Sequence, residues 1–212
     1  VRKKGIKDIL REGAAELGVK LSDEQTALFL TYLGELKKWN RTMNLTSLRK
    51  EDEITTRHFL DSLTPLRFLK GCRNLLDIGT GAGFPGIPLK IALPALEVTL
   101  MEPITKKVNF LKHVIRTLGL EGIEVVRARA EDEATVRRLG RSFDCAVSRA
   151  LASIDDYLEL ARPYVREGGV IIAIKGPAEE RLMGELGGHI YALHEIEVPF
   201  SKRKTSIVVF QR

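Results

Sequence analysis

Long apolar runs are missing from this 212-residue chain. A membrane-crossing helix needs about 18 or more consecutive apolar residues, and no such stretch occurs, so no membrane span is expected. The opening VRKKGIKDIL is basic but lacks the apolar core of a secretory signal, which points to a cytoplasmic protein. It starts at Val1 rather than Met, which leaves room for residues before it. Cysteine is scarce: Cys72 and Cys145 lie far apart and fit no metal spacing, so no metal site is expected and two buried, reduced thiols are. Internal repeats and low-complexity linkers are also missing. Hydrophobic residues make up 44% and charged residues 29%, a globular balance that excludes wholesale disorder and collagen-like architecture. The length suits one domain with an appendage, or two small ones.

Acidic residues are absent from one region altogether. Residues 198–212 carry Lys202, Arg203, Lys204 and Arg212 and no acid. Residues 1–73 hold 15 basic and 10 acidic side chains, while residues 74–197 hold 15 and 18, and the whole chain has a formal charge of +6. Basic ends around a slightly acidic centre suit a polyanionic partner.

The first 73 residues read as a helical, basic segment. Ile6, Ile9, Leu10, Ala14 and Leu17 form one stripe of a short helix that Gly18 stops. A second helix starts at Ser22, where Gln25 three residues on makes a capping-box pattern. Its apolar positions run through Phe29, Tyr32, Leu33, Leu36 and Trp39, and it is expected to fray near Asn40. A third helical stretch is expected from about Asp52 towards Phe68, interrupted near Pro65.

From Asn74 the pattern alternates between strand and helix. Strands are expected at 75–78, 97–101, 123–128, 143–148 and 168–176, with helices at 86–92, 104–120, 132–139 and 154–164 and a weaker one at 178–186. Two further β-like runs, 189–198 and 205–211, are joined by a basic turn. This order predicts an α/β fold with a mostly parallel sheet covered by helices on both faces, and a C-terminal antiparallel hairpin at its edge. The expected division is a helical cap over 1–73 and an α/β domain over 74–212.

The most informative segment is LLDIGTGAGFPGIPL, residues 75–89. An apolar strand ends at Asp77, Gly79, Gly81 and Gly83 alternate, and a helix follows. Such a loop turns sharply, lets its backbone approach a ligand and presents free N–H groups. A dinucleotide would place its pyrophosphate there, where Asp77 repels it. S-adenosylmethionine has no phosphate and carries an ammonium and a sulfonium, so the acid favours it. Glu102 ends the second strand, where a carboxylate can accept from both ribose hydroxyls of either cofactor. A third contact region is Ala128–Arg129–Ala130–Glu131–Asp132, which as a plain alternative is an N-cap cluster.

The end of the fourth strand faces the transferred group in methyltransferases. Here it reads Ala146-Val147-Ser148-Arg149-Ala150, without the Asn/Asp-Pro-Pro-aromatic pattern of amine methylation and without the Pro-Cys or Thr-Cys of a carbon-5 nucleophile. An acceptor that needs no deprotonation remains, and guanine N7 is one. No general base is assigned; catalysis would rest on alignment and exclusion of water. Arg149 suits a carboxylate, a guanine O6 or a phosphate, with an ion pair to Asp155 or Asp156 as its structural alternative. Lys175, at the end of the fifth strand, is the second candidate for positioning substrate.

Several motifs together resemble the glucose-inhibited division protein B family, methyltransferases of a guanine N7 in bacterial 16S ribosomal RNA. They are KWNRTMNLTS (38–47), RHFLDSL (57–63), DIGTGAGFPGIPL (77–89), KKVNFL (106–111), RAE (129–131), SRALAS (148–153) and IKG (174–176), in order across nearly the whole chain. The resemblance implies a class I, Rossmann-like fold of seven strands with an N-terminal helical cap. It also implies S-adenosylmethionine as donor and 16S rRNA, naked or in the small ribosomal subunit, as substrate. By motif, the cofactor contacts would be Asp77, Gly79, Gly81, Gly83, Phe84, Glu102, Pro103, Ile104, Ala130, Glu131 and Arg149. RNA contacts would come from Trp39, Asn40, Asn44, Arg57, His58, Arg129 and Lys175, with Lys202, Arg203 and Lys204 added by charge. Trp39 packing in the core, His58 as a structural residue and Asn44 closing a turn are the alternatives. A monomer is the default expectation. Two other functions stay open: a methyltransferase of the same fold acting on a small molecule or protein, and an RNA- or NAD-binding module without activity.

Overall fold

The computed structural model describes residues 4–149, 153–177, 184, 186 and 191–212. The helical segment starts with α1 (Ile6–Glu16) and α2 (Asp23–Met43). The capping box forms: Gln25 N donates to Ser22 Oγ at 3.1 Å and Ser22 N to Gln25 Oε1 at 2.9 Å. Rather than fraying at Asn40, α2 runs to Met43 and ends on Asn44 in the left-handed region, φ 50°. Asn is one of the few non-glycine residues that tolerates that cap. The third stretch is α3 (Glu51–Ile54), a π-helical segment (Thr55–Leu60) and α4 (Asp61–Leu63), followed by a 3₁₀ turn at Leu66–Phe68.

Seven strands follow: β1 (Asn74–Ile78), β2 (Glu97–Met101), β3 (Ile123–Val126), β4 (Phe143–Arg149), β5 (Val165–Lys175), β6 (Ala192–Val198) and β7 (Arg203–Gln211). Between them lie α5 (Gly86–Ala92), α6 (Thr105–Thr117), α7 (Glu133–Leu139) and α8 (Ile154–Ala161). The sheet order is β3-β2-β1-β4-β5-β7-β6, parallel through β5, with β7 antiparallel to both β5 and β6. The class, the parallel core and the hairpin edge are those expected from sequence. The weak helix expected at 178–186 lies outside the described residues, as does the start of the 189–198 run; of the former only positions 184 and 186 are described. β3 ends at Val126, two residues short of the expected end.

Side chains alternate across the sheet, so register decides what meets what. Leu75, Cys145, Val147, Ile172, Ile174 and Ile207 join one buried cluster with Phe29, Leu36, Leu60 and Leu63 of the helical segment. Leu76, Ile78, Ala146, Ile171, Ala173 and Val208 join a second one against Tyr157 and Leu158 of α8. The helical segment therefore packs on the face that also carries α5 and α6. Polar contacts reinforce this. Gln25 Nε2 donates to the C-terminal carbonyls of α5, Ile91 O at 2.7 Å and Ala92 O at 3.2 Å.

The two cysteines, Cys72 and Cys145, expected as reduced thiols, are neighbours in the fold, with a Cα–Cα distance of 6.1 Å that is within reach of a disulfide. Parallel pairing of β1 with β4 brings the residues just before β1 alongside Cys145, 73 positions away.

Candidate functional site

β1 delivers Asp77 to the sheet's carboxyl edge, fully buried. Its Oδ2 accepts from Thr80 Oγ1 at 2.5 Å and from Gly86 N, the first residue of α5, at 2.8 Å. Its Oδ1 is buried without a hydrogen-bond partner. Burial, above all, raises the carboxyl pKa to about 7, and the negative charge of Glu102 adds to it, against the lowering effects of the two hydrogen bonds and of Arg149. A buried acceptor with nothing to accept from is costly, and a cationic group placed at the loop would relieve it.

The loop glycines do different jobs. Gly79, Gly81 and Gly83 all have positive φ, at 70°, 62° and 100°. A Cβ on Gly81 would meet nothing nearer than Gly79 O at 4.0 Å, so this position faces open space. A Cβ on Gly83 would strike Ile87 Cδ1 at 2.5 Å and Tyr32 Oη at 2.7 Å, so Gly83 admits the helical segment instead. Tyr32 Oη donates to Ala82 O at 2.5 Å, and its ring stacks on Phe59 and Phe84 at 5.2 and 5.5 Å. Such aromatic pairs contribute about 0.5–1.5 kcal/mol each beyond area burial. α2 thus braces the loop from behind.

Glu102, only 3% exposed, links strand and loop. Its Oε2 accepts from Gly81 N and its Oε1 from Ile104 N, both at 3.0 Å, with Lys107 Nζ at 3.9 Å. Ile104 is 49% exposed beside it, an apolar surface at the ligand edge. Ala130 is buried, its carbonyl taking a hydrogen bond from Tyr164 Oη at 2.7 Å, while Arg129 and Glu131 are exposed and 3.6 Å apart. Two buried carboxylates, an open glycine backbone and an apolar ledge suit a cationic nucleoside and oppose a pyrophosphate.

Arg149 ends β4 and reaches into the helical segment. Its carboxylate is Asp61 of α4, with Nη1 to Oδ2 at 3.2 Å. Nη1 also donates to Arg57 O at 3.3 Å, and Nη2 to His58 Nδ1 at 3.1 Å. The π-helical register explains the second contact. Asp61 N bonds to Thr56 O, not to Arg57 O as in an α-helix, and Arg57 O turns to Arg149. The guanidinium lies over the Phe84 ring, 4.9 Å from its centroid, and Phe84 stacks on His58 at 4.6 Å.

His58 is held neutral. Burial first, then the charge of Arg149, push its pKa down to about 3. Accepting at Nδ1 leaves its Nε2–H to donate to Thr46 Oγ1, 2.6 Å away. Thr46 is fixed in turn by Asn40, whose amide donates to Thr46 O and accepts from Thr46 N, both at 2.9 Å. Asn40 is therefore buried and engaged internally. Trp39 packs on Phe110 and His113 of α6, with centroids 5.6 and 5.0 Å away, and Asn44 closes the turn after α2. None of these three lines the cavity at the sheet edge, although Asn40 reaches Arg149 through Thr46 and His58.

The other candidates converge. Arg57, Arg149, Lys175, Arg203 and Lys204 line one cavity of about 430 Å³, together with Asp61. Lys202 is exposed in the turn before β7 with φ 53° and is not part of the lining. Sequence reasoning missed Asp61 and Thr205, which also face this cavity. Asp61 was visible only as the acid within RHFLDSL, and Thr205 carried no signal. Among the described residues no group of three or more His, Cys, Asp or Glu is placed to hold a metal, and no helix is long and apolar enough to cross a membrane.

The profile of one protein family, GidB, rRNA small subunit methyltransferase G, matches residues 25–206. The chain belongs to this family. Two relatives named Ribosomal RNA small subunit methyltransferase G illustrate how closely. The one from Alkaliphilus metalliredigens is 40% identical over 215 residues, covering 97% of this chain and 90% of its own. The one from Geobacter sulfurreducens is 41% identical over 207 residues, 94% of each. Among solved structures, cofactor-bound Rv0187 from MTB superposes with a TM-score of 0.60 at 19% identity, covering 88% of this chain and 90% of that one. A methyltransferase from Geobacter sulfurreducens gives 0.60 at 15%, covering 86% and 90%. At such identities these two speak to the fold alone, which is the class I methyltransferase fold. The small subunit methyltransferase G assignment makes the chain an enzyme that transfers methyl groups.

Proposed function

We propose that this protein transfers the methyl group of S-adenosylmethionine to N7 of a guanine in 16S rRNA, working as a cytoplasmic monomer on the small ribosomal subunit or its RNA. The single observation that carries the reading is the meeting, at one sheet edge, of the acid-lined glycine loop and a cavity walled by Arg57, Arg149, Lys175, Arg203 and Lys204. S-adenosylmethionine supplies an activated methyl on a sulfonium. Asp77 would face its ammonium side, Gly79 and Gly81 would border it with backbone, Glu102 would accept from its ribose, and Ile104 with Ala130 would border its base. Guanine N7 has a lone pair and no proton at neutral pH, so the chain need only align it and exclude water. The helical cap, residues 1–73, and the methyltransferase domain, residues 74–212, share this work: the cap contributes Arg57 and buttresses Arg149, and the hairpin contributes Arg203 and Lys204.

The direct test incubates unmodified small subunits with the enzyme and methyl-labelled S-adenosylmethionine. Label in 16S rRNA that maps to guanine N7 by mass spectrometry is expected; no label in 16S rRNA overturns the reading. Removing two phosphate contacts through Arg203→Ala with Lys204→Ala should lower the slope of log affinity against log salt by about 1–2 in magnitude. Filter binding across a salt series measures this.

Asp77 predicts a pH signature. Its folded pKa, about 7, lies above the ordinary carboxyl value of 3.8. The cofactor-free protein therefore gains stability as pH falls below 7, and the gain is complete below the unfolded pKa. A bound ammonium favours the ionised form, so S-adenosylmethionine affinity should rise with pH through about 7 and binding at pH 6 should release a proton. Calorimetry in buffers of different ionisation enthalpy reads that proton, and Asp77→Asn should abolish its release.

A further inference from the structure

The sheet register sets Arg149, Ile174 and Ile207 in one row, since Arg149 pairs with Ile174 and Ile174 with Ile207. Thr205, two residues before Ile207 on β7, points to the same face as that row. There its Oγ1 donates to Asp61 Oδ1 at 2.5 Å, while Asp61 Oδ2 accepts from Arg149 Nη1 at 3.2 Å. One carboxylate of the helical segment thus joins the end of β4 to the start of β7, across a sequence separation of 144 residues on one side and 88 on the other. Asp61 and Arg149 are almost equally covered, with side chains 15% and 17% exposed, and Thr205 is 6% exposed. Asp61, Arg149 and Thr205 all line the cavity, next to Arg203 and Lys204 on the same strand.

An Arg side chain has several soft torsions and sweeps a wide volume unless each end of its fork is held. Here Nη1 is held by Asp61 and by Arg57 O, and Nη2 by neutral His58. The carboxylate that holds Nη1 would itself rotate if only one oxygen were engaged, and Thr205 stops that rotation. We propose that Asp61 and Thr205 are positioning residues for methyl transfer: they lock the Arg149 guanidinium between the Phe84 side of the cofactor loop and the acceptor cavity, and they set the basic start of β7 at a fixed distance from it. This rests on the rRNA-methyltransferase reading above. Neither residue touches the reacting atoms; both act through Arg149. The charge of the carboxylate is what matters: an amide in its place can accept from Arg149 and donate to the Thr205 hydroxyl, but it loses the charge-assisted pairing that holds the guanidinium.

The test measures single-turnover methyl transfer to unmodified small subunits at saturating S-adenosylmethionine, alongside cofactor affinity and thermal midpoint. Asp61→Asn is expected to slow transfer about 10-fold and Thr205→Val about threefold, with cofactor affinity changed less than twofold. In an Arg149→Met background both substitutions should change the remaining rate by less than twofold, because the side chain they act through is gone. Asp61→Glu, which keeps the charge, should recover part of the loss. A purely structural role predicts the opposite pattern: rates that multiply independently of Arg149, or a lowered thermal midpoint with the rate per folded molecule unchanged. Either result overturns the proposal. If Asp61→Asn fails to fold, Thr205→Val alone and in the Arg149→Met background decides it by the same criterion. Absence of labelling by the unsubstituted enzyme overturns the parent reading and this one with it; labelling by that enzyme with multiplicative effects overturns only the roles of Asp61 and Thr205.

Discussion

Gly81→Val should weaken S-adenosylmethionine binding by about 100-fold or more, measured by calorimetry, while the protein still folds. Gly81 has φ 62°, and a Cβ there would project into space where the nearest atom is Gly79 O at 4.0 Å. Valine therefore meets no protein wall; it fills volume the ligand needs and adds a β-branch in a backbone region that disfavours one. The strain cost to the fold is about 1–2 kcal/mol, visible as a modest drop in thermal midpoint. Gly86→Val gives the contrast. A Cβ at Gly86 would lie 2.3 Å from Leu100 Cδ2 and 2.8 Å from Asp77 Oδ2, so this change breaks the packing of α5 on β1 and β2. It should unfold the protein or lower its midpoint sharply. Two glycines of one motif thus fail in different assays, and an unchanged cofactor affinity in Gly81→Val would remove the loop from the proposed site.

Arg149→Met should reduce methyl transfer to 16S rRNA on the order of 100-fold, the size expected when a group that aligns reactants is lost. Methionine keeps most of the side-chain volume over Phe84 but none of the donors. Asp61 is then left with Thr205 alone, which should cost about 1–3 kcal/mol in a denaturant melt because a mostly covered carboxylate loses its charged partner. The kinetic and stability losses are separable: rate per folded molecule, taken from active-site titration with cofactor, should still show the larger effect. Equal rates for the two proteins would place Arg149 outside the acceptor site.

Much of the fold was legible from residue patterns. The alternation of apolar strands with helical stripes after Asn74 implied the parallel sheet, and the capping box at Ser22 and Gln25 marked the start of α2 to the residue. Local chemistry also marked Asp77, Gly81 and Glu102, since an acid before a glycine loop and an acid after the next strand need only two adjacent parallel strands to meet. Gly81 N bonding to Glu102 Oε2 at 3.0 Å is that meeting.

What sequence could not assign was which distant side chains share a site. RHFLDSL showed Arg57 and His58 as candidates, but the π-helical register that frees Arg57 O for Arg149 depends on hydrogen bonds, not composition. Likewise Asn40 stands in a polar motif as a recognition candidate, and its engagement with the Thr46 backbone depends on how the chain turns back after α2, while the half-buried Trp39 packs on Phe110 of α6. The two cysteines looked unrelated because 73 residues separate them; only the β1–β4 pairing brings them together.

The sequence by itself determined the class of fold, the glycine loop with its two acids, and the concentration of positive charge at the chain's two ends, because each is written in neighbouring residues or in a simple count. The tertiary structure alone decided that Arg57 from the first segment and Arg203 and Lys204 from the last line one cavity, and that Asp61 joins Arg149 to Thr205 beside them. The reason is physical: strand order and register are collective outcomes of packing, and a hydrogen bond across 144 residues leaves no local trace in the chain that makes it.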